Sequence, residues 1–364
     1  MEPTGLIIGR ERYDRMKEVI DFDNSKIGVK GLSDSGITTI PKFFVHPPET
    51  LSDLKKSSSF GSEIPVIDLS NLHCQTNREK IIKEVREAAK TWGFFQVINH
   101  GIPLGVLDDI ILAIKAFHEE PKEAKAKYYL RGKGNGVRLV SNVDLLRSKA
   151  ACWRDTLNVW MPVQAEEIPE VCRREVLEWD AQTKKVAEVV MDLLSEGMGL
   201  ESGKLVQLGC LSSRVILGHC YPHCPQPDST LGLNSHTDVG TLAVLVQNQV
   251  AGLQVKHGEY WVDVNPVPGG LIVNIGDLLQ IISNGNYNSF QHRVLANASK
   301  ELRISVGQFF SLDNSNECAC FGPLPELVSP DKPALYRSFT IRDFNENFYS
   351  KELDSKSLVE KLRI

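Results

Sequence analysis

A run of short apolar segments in the C-terminal half constrains the fold more than any other feature of this chain. After Ser212, the segments are RVILGHCYP, TLAVLVQN, LQVKHGEYWVDVNP, GGLIVNIGDLLQIISNG, SFQHRVLA and LRISVGQFF, with short Gly, Asn and Pro breaks between them. Many short strands at this spacing are typical of a closed barrel or of two packed antiparallel sheets. We therefore predict a mainly β architecture for this half of the chain.

The N-terminal half has a mainly helical pattern. In NREKIIKEVREAAKTWG, Ile81, Val85 and Ala88 recur at helical spacing, and Gly93 is a typical stop. Two more helices are predicted at LGVLDDIILAIKAFHEEPKEAKAKYY and IPEVCRREVLEWDAQTKKVAEVVMDLLSEGMGL, strands at IPVIDLS and FFQVINHG, and irregular structure over residues 131–165. The predicted regions are an N-terminal arm (1–63), a helical region (64–211), a barrel (212–320) and a C-terminal segment that closes the site (321–364).

Composition excludes several classes of partner and location. The net charge of -5 argues against nucleic acid and anionic membranes, because neither is attracted to a mildly acidic protein. No apolar run reaches the ~18 residues that a membrane span requires, and the N-terminus has no cleavable signal pattern. The eight cysteines are scattered, which favours reduced thiols over a disulfide framework. We therefore expect a cytoplasmic protein.

The stretch GLNSHTDVGT places His236 and Asp238 two residues apart. Side chains at i and i+2 of a strand point to the same face, so an imidazole and a carboxylate converge there. His292 lies in SFQHRVLA, a later strand candidate, and can supply a third ligand. Two imidazoles and one carboxylate form the facial triad of non-haem Fe(II) oxygenases.

The remaining histidines have simpler interpretations. His100 in NHG follows a strand and is expected to serve a turn. Cys220 and Cys224 beside two histidines suggest zinc only weakly, because a structural zinc site needs a second ligand pair at a matching spacing. Four histidines in charged or Pro-rich surroundings are predicted to lie at the surface: His46, His73, His118 and His257.

The segment LRISVGQFF adds a second pair on one strand face. Arg303 and Ser305 are again two residues apart, shortly after His292. A guanidinium inside a barrel is costly to bury without a partner, so either an internal acid or a bound anion must pair with it. A dicarboxylic co-substrate can present one carboxylate to Arg303 as a bidentate pair and to the Ser305 hydroxyl, while its 2-oxo acid end chelates the metal.

These motifs resemble those of the 2-oxoglutarate/Fe(II)-dependent dioxygenases of plants, in the isopenicillin-N-synthase-like superfamily. The resemblance rests on HxD, the later His and RxS, and on GSEIPVIDLS, AAKTWGFFQVINHGIP, YPHCPQPD, NIGDLLQIISNGNYNSFQHRV and FGPLPELVSP. The N-terminal VIDFDNSKIGVKGLSDSGITTIPKFFVHPPE is similar to the group of 1-aminocyclopropane-1-carboxylate oxidase homologues, deacetoxyvindoline 4-hydroxylase, the benzoxazinoid dioxygenase and steroidal-alkaloid hydroxylases. The resemblance implies a double-stranded β-helix, which is a cupin-like jelly roll, with a helical N-terminal half.

The resemblance also implies a reaction and a set of site residues. His236, Asp238 and His292 are the expected Fe(II) ligands, and Arg303 and Ser305 are expected to bind the far carboxylate of 2-oxoglutarate. Such an enzyme consumes O2, forms succinate and CO2, and uses ascorbate as reductant. Hydroxylation of a plant specialised metabolite, such as an alkaloid or a benzoxazinoid glucoside, by a monomer is the expected outcome.

One turn departs from the pattern of the family. The family commonly has Asn-Tyr-Tyr-Pro-x-Cys-Pro where this chain has HCYPHCP. Tyr221 retains the second tyrosine, a 2-oxoglutarate contact, and His219 stands at the position of the Asn, which is another contact. An imidazole can still donate a hydrogen bond there, so we expect His219 to contact the co-substrate. Cys220 and His223 replace a tyrosine and commonly a proline.

Substrate contacts are expected from the loop before the barrel, from inward barrel residues and from the C-terminal segment. The candidates are Arg138, Asn142, Leu157 and Phe309. Phe309 shares a strand face with Arg303, whereas Trp153 and Asp155 are expected to pack their loop against the barrel.

Two alternatives to this interpretation are open. An ascorbate-using oxidase of the ethylene-forming type shares the triad and RxS, but it begins close to IPVIDLS and lacks the long arm. A non-catalytic small-molecule binding protein on the same barrel is the second alternative, although a receptor has no need of open iron positions.

Overall fold

Two facing β-sheets form the barrel that the sequence predicts. The computed structural model describes residues 13–52, 54, 63–131, 136–142, 144–313, 315, 318–349 and 358–364. Its strands are β1 (Val66–Asp68), β2 (Phe94–Ile98), β3 (Val137–Val140), β4 (Asp155–Met161), β5 (Ser213–Tyr221), β6 (Leu231–His236), β7 (Leu242–Gln247), β8 (Leu253–His257), β9 (Tyr260–Asp263), β10 (Leu271–Ile275), β11 (His292–Leu295), β12 (Arg303–Ser311), β13 (Cys320–Phe321) and β14 (Phe339–Thr340).

The large sheet has eight strands in the order β1-β2-β10-β7-β12-β5-β4-β3, and the small sheet has the order β6-β11-β8-β9. All neighbours are antiparallel except β1 and β2. Strands β13 and β14 form a separate hairpin in the C-terminal segment. This is a double-sheet barrel, and its nearly complete antiparallel pairing confirms the class that the strand spacing predicts.

The helices lie outside the two sheets, and several of those after residue 75 pack on the outer face of the large sheet. They are α1 (Arg15–Ser25), α2 (Gly28–Asp34), α3 (Pro48–Leu51), α4 (Gln75–Thr91), α5 (Leu104–Glu119), α6 (Lys122–Lys125), α7 (Arg173–Gly197), α8 (Lys204–Gln207), α9 (Asp277–Ile282), α10 (Ile341–Tyr349) and α11 (Leu358–Leu362). Helix α4 ends before Gly93, whose φ of +62° supports the predicted stop. Among the described residues, no helix combines the length and the apolar character needed to cross a bilayer.

The large sheet is apolar on both faces, and strand β10 shows how its residues divide. Ile272 points into the barrel, where it packs with Tyr221 and Val255 of the facing sheets. Its neighbour Val273 points outward and joins the core beneath α5 and α7. Alternate residues of a strand face opposite sides, so one strand contributes to both cores.

Strands β3 and β4 correct the sequence analysis, which predicted irregular structure over residues 131–165. Strand β4 pairs with β5 along its length, with Thr156 opposite His219, and β3 pairs with β4. Together with β1 and β2, they extend the large sheet into the predicted helical region, so the boundary at 211/212 does not separate two bodies. Residues 132–135 of the glycine-rich RGKGNG lie outside the described residues.

The N-terminal arm is tied to the barrel by a buried carboxylate. Asp155, the first residue of β4, accepts hydrogen bonds from the backbone N–H groups of Val29 (2.9 Å) and Lys30 (2.8 Å) at the start of α2, and from the Ser141 hydroxyl (2.6 Å). A Cβ on Gly28 would lie 2.6 Å from the Asp155 carboxylate, and its φ is +67°. Glycine is therefore required for this close approach.

The arm also closes one end of the barrel with an apolar cluster. Phe44 packs edge-on against Trp153 with ring centroids 5.0 Å apart, and both are buried. The same cluster includes Phe22, Val29 and Cys224, so it joins α1, α2 and the turn after β5. The expectation that Trp153 and Asp155 pack their loop agrees with these contacts, and both also hold the arm.

Replacement of Asp155 by alanine should destabilise the fold. The substitution leaves the backbone donors of Val29 and Lys30 without an acceptor, so we expect a loss of about 2–5 kcal/mol in the free energy of unfolding, measured by urea denaturation. The exposed Asp21 of α1 provides a matched control, because Asp21→Ala should change the free energy of unfolding by less than about 0.5 kcal/mol. Equal stabilities for the two variants would contradict the anchoring role of Asp155.

Candidate active site

Three side chains converge at one end of the barrel interior. His236 is the last residue of β6 and His292 the first of β11, and the two are direct partners in the antiparallel register. The Asp238 carboxylate lies 3.5 Å from Nε2 of His236 and 3.6 Å from Nε2 of His292. One ligand atom from each residue lies within 4.8 Å of the others, and among the described residues this is the group of three or more His, Cys, Asp or Glu side chains that can hold a metal ion.

The hydrogen bonds around the three side chains orient them toward a common point. Nδ1 of His236 lies 2.8 Å from the carbonyl of Asn234, and Nδ1 of His292 lies 3.3 Å from the carbonyl of Phe290. Because a carbonyl only accepts, each Nδ1 carries the proton and each Nε2 has a free lone pair. Such contacts fix the tautomer and direction of histidine ligands in metal sites.

The Asp238 carboxylate is held on one side only. The amide of Asn274 donates to its Oδ2 at 2.6 Å, which leaves Oδ1 facing the two imidazoles. Burial raises the pKa of Asp238, but the nearby His292 and His236 and the Asn274 bond outweigh it, so the pKa lies below its usual range. Burial and the neighbouring His236 lower the pKa of His292 to about 4. Asp238 is therefore a carboxylate and His292 a neutral imidazole, the protonation states that metal ligands need.

Backbone contacts position the loop that carries Asp238. Its carbonyl accepts from the N–H of Asp277 at 2.7 Å, and the Thr237 hydroxyl donates to the Asp277 carboxylate at 3.0 Å. A Cβ on Gly276 would lie 2.1 Å from the carbonyl of Gly240. The two loops therefore pack backbone against backbone, which holds Asp238 in a fixed place relative to β6.

A guanidinium without an acidic partner lies across the barrel from β6. Arg303 is only 1% exposed and stacks on Tyr221, with its Cζ 4.8 Å from the ring centroid. Its Nη2 donates to Gln247 at 2.6 Å, whereas Nε and Nη1 are buried and have no partner among the described residues. Ser305, which lies two residues along β12 on the same face, is also buried. The arrangement offers a fork of donors to a carboxylate.

His219 lies beside Ser305 in the register of β5 and β12. Its Nδ1 is 2.9 Å from the Thr156 hydroxyl and 3.4 Å from Nη1 of Arg154. Since arginine only donates, Nδ1 acts as the acceptor and Nε2 carries the proton. Burial, followed by the charges of Arg154 and Arg303, holds the pKa of His219 well below its usual range. His219 is therefore a neutral imidazole that offers one N–H donor.

The inner face of the large sheet is partly open beyond His219. Direct cross-strand partners share a face, and the register links Leu217 to Gly307 and to Asn158. Phe309 lies on the same face, as the sequence predicts, and its ring covers Gly307, where a Cβ would lie 2.7 Å from the ring edge. The partly exposed side chains of this face include Arg138, Asn158, Trp160, Val215, Leu217, Leu245 and Phe309.

Two of the predicted substrate contacts do not face this space. Leu157 is opposite Gly218 in the register, one residue out of phase with Thr156 and His219, and it is buried in the core beneath the helices. The prediction for Leu157 is therefore wrong. The Asn142 side chain bonds to both the N–H and the carbonyl of Cys152, so its amide is used to clip its own loop.

Sequence reasoning missed three polar residues of this region. Arg154 contacts His219 and Asn274 holds Asp238, although the sequence analysis assigned a role to neither residue. The predicted surface histidine His46 is buried instead, with Nε2 2.8 Å from the Asn234 side chain, two residues before His236. Arg154 and Thr156 are two residues apart, so the i, i+2 rule for strands was the signal that could have placed Arg154 on the same face as Thr156.

Three further predictions about histidines and cysteines can be compared with the structure. His118 is buried rather than exposed, with Nε2 3.1 Å from the carbonyl of Gly218, and burial lowers its pKa to about 3. His100 serves its turn, because the N–H of Ile102 donates to its Nδ1 at 3.2 Å. Cys220 and Cys224 are free, buried thiols, and burial raises the pKa of each. They belong to no ligand cluster within the described residues.

Loss of the Asn274 amide should weaken metal binding at the triad without loss of the fold. A hydrogen-bonding partner of a metal ligand typically contributes about 10- to 100-fold to affinity, so we expect Asn274→Ala to bind Co(II) that much more weakly in calorimetric titration. Asn142→Ala, which also removes a buried amide, should leave Co(II) affinity unchanged. Equal affinities for Asn274→Ala and the wild type would show that the Asp238 carboxylate does not depend on this bond.

Comparison with known proteins agrees with this geometry. Residues 210–311 match the profile of the 2OG-Fe(II) oxygenase superfamily, and residues 64–181 match that of the non-haem dioxygenase in morphine synthesis N-terminal family. The 1-aminocyclopropane-1-carboxylate oxidase homolog 11 of Arabidopsis thaliana is 44% identical over 97% of this chain and 98% of its own length. Homolog 4 of the same plant is 44% identical over 96% of this chain and 98% of its own length.

Solved structures show the same fold. The crystal structure of JOX2 in complex with 2OG, Fe and JA is 28% identical, with a TM-score of 0.78 over 93% of this chain and 97% of that chain. The dioxygenase for auxin oxidation in rice is 23% identical, with a TM-score of 0.69 over 83% of this chain and all of that chain. These neighbours confirm the jelly-roll prediction. The chain belongs to the plant 2-oxoglutarate- and Fe(II)-dependent dioxygenases, and it is an enzyme that uses Fe(II), 2-oxoglutarate and O2, with ascorbate as the typical reductant.

Proposed function

We propose that this enzyme hydroxylates a small-molecule specialised metabolite of plants, consuming O2 and 2-oxoglutarate and releasing succinate and CO2. The observation that carries the proposal is the pairing of a His-Asp-His cluster with a buried guanidinium that has no acidic partner. The first is suited to Fe(II), and the second is suited to the free carboxylate of a 2-oxo acid bound to the same metal.

In this proposal His236, Asp238 and His292 are the three Fe(II) ligands. Their donor set fits the metal, because both Nε2 lone pairs and the Oδ1 of Asp238 face one point while carbonyls and Asn274 hold the opposite atoms. When bound there, Fe(II) supplies the activation of O2 that is coupled to decarboxylation of 2-oxoglutarate. The side chains hold the ion on one face only and leave its other positions for the co-substrates.

Arg303, Ser305, Tyr221 and His219 bind 2-oxoglutarate in this proposal. The unpartnered Nε and Nη1 of Arg303 form the fork for the far carboxylate, and the Ser305 hydroxyl lies on the same face. Tyr221 stacks on the guanidinium and so fixes its plane. His219 donates its Nε2–H to 2-oxoglutarate, because Nδ1 already accepts from the Thr156 hydroxyl and lies near the Arg154 guanidinium. The four residues form one continuous patch across β5 and β12.

The oxidised substrate occupies the partly open inner face. Leu217, Leu245 and Phe309 make this space mainly apolar, while Arg138 and Asn158 add polar groups at its far side. Apolar walls with a few polar groups are typical of small-molecule sites. The neighbours whose structures contain JA, or that are described as acting in auxin oxidation, support a small-molecule substrate. Asn142 is less well placed for contact, because its amide is already bonded.

A cytoplasmic location and a monomeric state complete the proposal. None of the eight cysteines forms a disulfide within the described part of the chain, which supports a reducing compartment.

The direct test is production of succinate from 2-oxoglutarate by purified protein with Fe(II) and a plant metabolite extract, together with mass spectrometry of the extract for a gain of one oxygen. We expect His292→Ala to lose Fe(II) binding, measured by titration under argon, and to lose succinate formation. His223→Ala, a histidine on the turn after β5 outside the cluster, serves as the control and should keep both. Wild-type Fe(II) affinity in His292→Ala would refute the ligand assignment.

The second test concerns the fork of Arg303. Arg303→Lys keeps the charge but loses the bidentate geometry, and the loss of one charged contact is worth about 1.5–3 kcal/mol. We therefore expect the KM for 2-oxoglutarate to rise about 10- to 100-fold, while the Fe(II) affinity stays unchanged. If the KM stayed the same, 2-oxoglutarate would be held elsewhere.

A further inference from the structure

Arg154 is the second buried guanidinium of the barrel interior. It is 8% exposed and directly precedes β4. Its Nη1 lies 3.4 Å from Nδ1 of His219, which places the side chain on the inner face of the sheet, the face that also carries Thr156. Arg154 therefore points toward the space that contains His219, Tyr221 and Arg303.

In the part of the chain that the structure describes, no acidic side chain pairs with the guanidinium of Arg154. Its one recorded hydrogen-bond contact is the neutral ring of His219, and its buried Nε has no partner among the described residues. Two partly buried arginines elsewhere do have acidic partners: Arg214 forms two bonds to Asp180, and Arg131 lies 2.6 Å from Asp23. Burial of an unpaired charge is costly, so a missing anion is the simplest complement.

Arg303 is also a buried arginine with no acidic partner among the described residues. Comparison of the two arginines shows what Arg154 lacks. Both guanidiniums have a buried Nε without a partner, and both lie near neutral polar groups rather than acids. The far carboxylate of 2-oxoglutarate complements Arg303 in the proposed function, and its other carboxylate binds the metal. Neither carboxylate is then left to neutralise Arg154.

We propose that the guanidinium of Arg154 binds a carboxylate of the oxidised substrate, so that the enzyme selects carboxylic acids with an apolar body. The proposal rests on the proposed function, because it assumes that 2-oxoglutarate is held by Arg303. The apolar body fits the wall formed by Leu217 and Phe309, and a guanidinium matches a carboxylate with paired, charge-assisted hydrogen bonds. The one rival source of the carboxylate is the metal-binding end of 2-oxoglutarate itself.

The test compares acids with their methyl esters. Wild-type protein loaded with Fe(II) and saturating 2-oxoglutarate under argon, so that Arg303 is occupied, is mixed with cinnamate, phenylacetate or decanoate, or with the matching ester, and its melting temperature is recorded. We expect at least one acid to raise the melting temperature more than its ester, because ligand binding stabilises the folded state. If no acid exceeds its ester, the proposal is wrong.

Variants then assign the preference to Arg154. In Arg154→Gln the acid should bind about 10- to 100-fold more weakly and lose its advantage over the ester, whereas Arg154→Lys should keep part of it. The exposed Arg147 lies in the same loop, and Arg147→Gln should behave as the wild type. An acid preference that survives in Arg154→Gln would overturn the assignment. If the ligand-free variant also melted several degrees lower than the wild type, the role of Arg154 would be structural.

The affinity for 2-oxoglutarate separates the two sources of the carboxylate. We expect its Kd, from anaerobic titration, to change less than about twofold in Arg154→Gln, because the co-substrate is held by Arg303. A rise as large as that in Arg303→Lys would overturn the substrate assignment and place the carboxylate in 2-oxoglutarate. Failure of the proposed function is recognised separately, since the wild type would then bind neither Fe(II) nor 2-oxoglutarate.

Discussion

The antiparallel pairing of β6 with β11 is the constraint on which the site depends. His236 and His292 are direct partners in that register, so two ligands from distant parts of the chain meet by sheet geometry alone. A slip of one residue would send one imidazole to the opposite face of the sheet. The rest of the site follows from this pair: Asp238 lies in the loop two residues after the end of β6, and the contact of that loop with Asp277 holds it there. The metal position is therefore built from backbone pairing, with side chains added at its end.

Unpaired positive charge is the second physical theme of the interior. Arg303 and Arg154 lie on either side of the Tyr221 and His219 region, and neither has an acidic side chain in contact within the described residues. A protein that folds with such groups loses stability until an anion arrives. The hydrogen-bond donors are, however, already oriented and desolvated before the ligand binds. This preorganisation favours binding of carboxylates over neutral analogues.

The sequence allowed prediction of those parts of the site that depend on local periodicity. The i, i+2 parity of Arg303 with Ser305 survives in the structure because both residues lie in strand β12. Asp238 does lie next to His236, as predicted, but it belongs to the loop after β6, and the contact of that loop with Asp277 holds it there. Leu157 was assigned to the wrong face because its phase depends on which residue of β5 it opposes, and that pairing is set by contacts distant in sequence. The same limit applies to His46 and Asn274, whose partners lie far away along the chain. Strands β3 and β4 escaped prediction because polar residues such as Arg138 and Asn158 interrupt their apolar pattern.

The start of β4 places two functions on consecutive residues. Asp155 faces the arm and receives the first amides of α2, while its neighbours Arg154 and Thr156 face His219. A shift of the arm therefore moves Asp155. The peptide bonds on either side of Asp155 pass that movement to Arg154 and Thr156 in the wall of the active site. In a related enzyme with a different arm, we therefore expect the ligand preference to differ as well. Grafting a new pocket onto this scaffold would accordingly require exchange of the arm together with the strand.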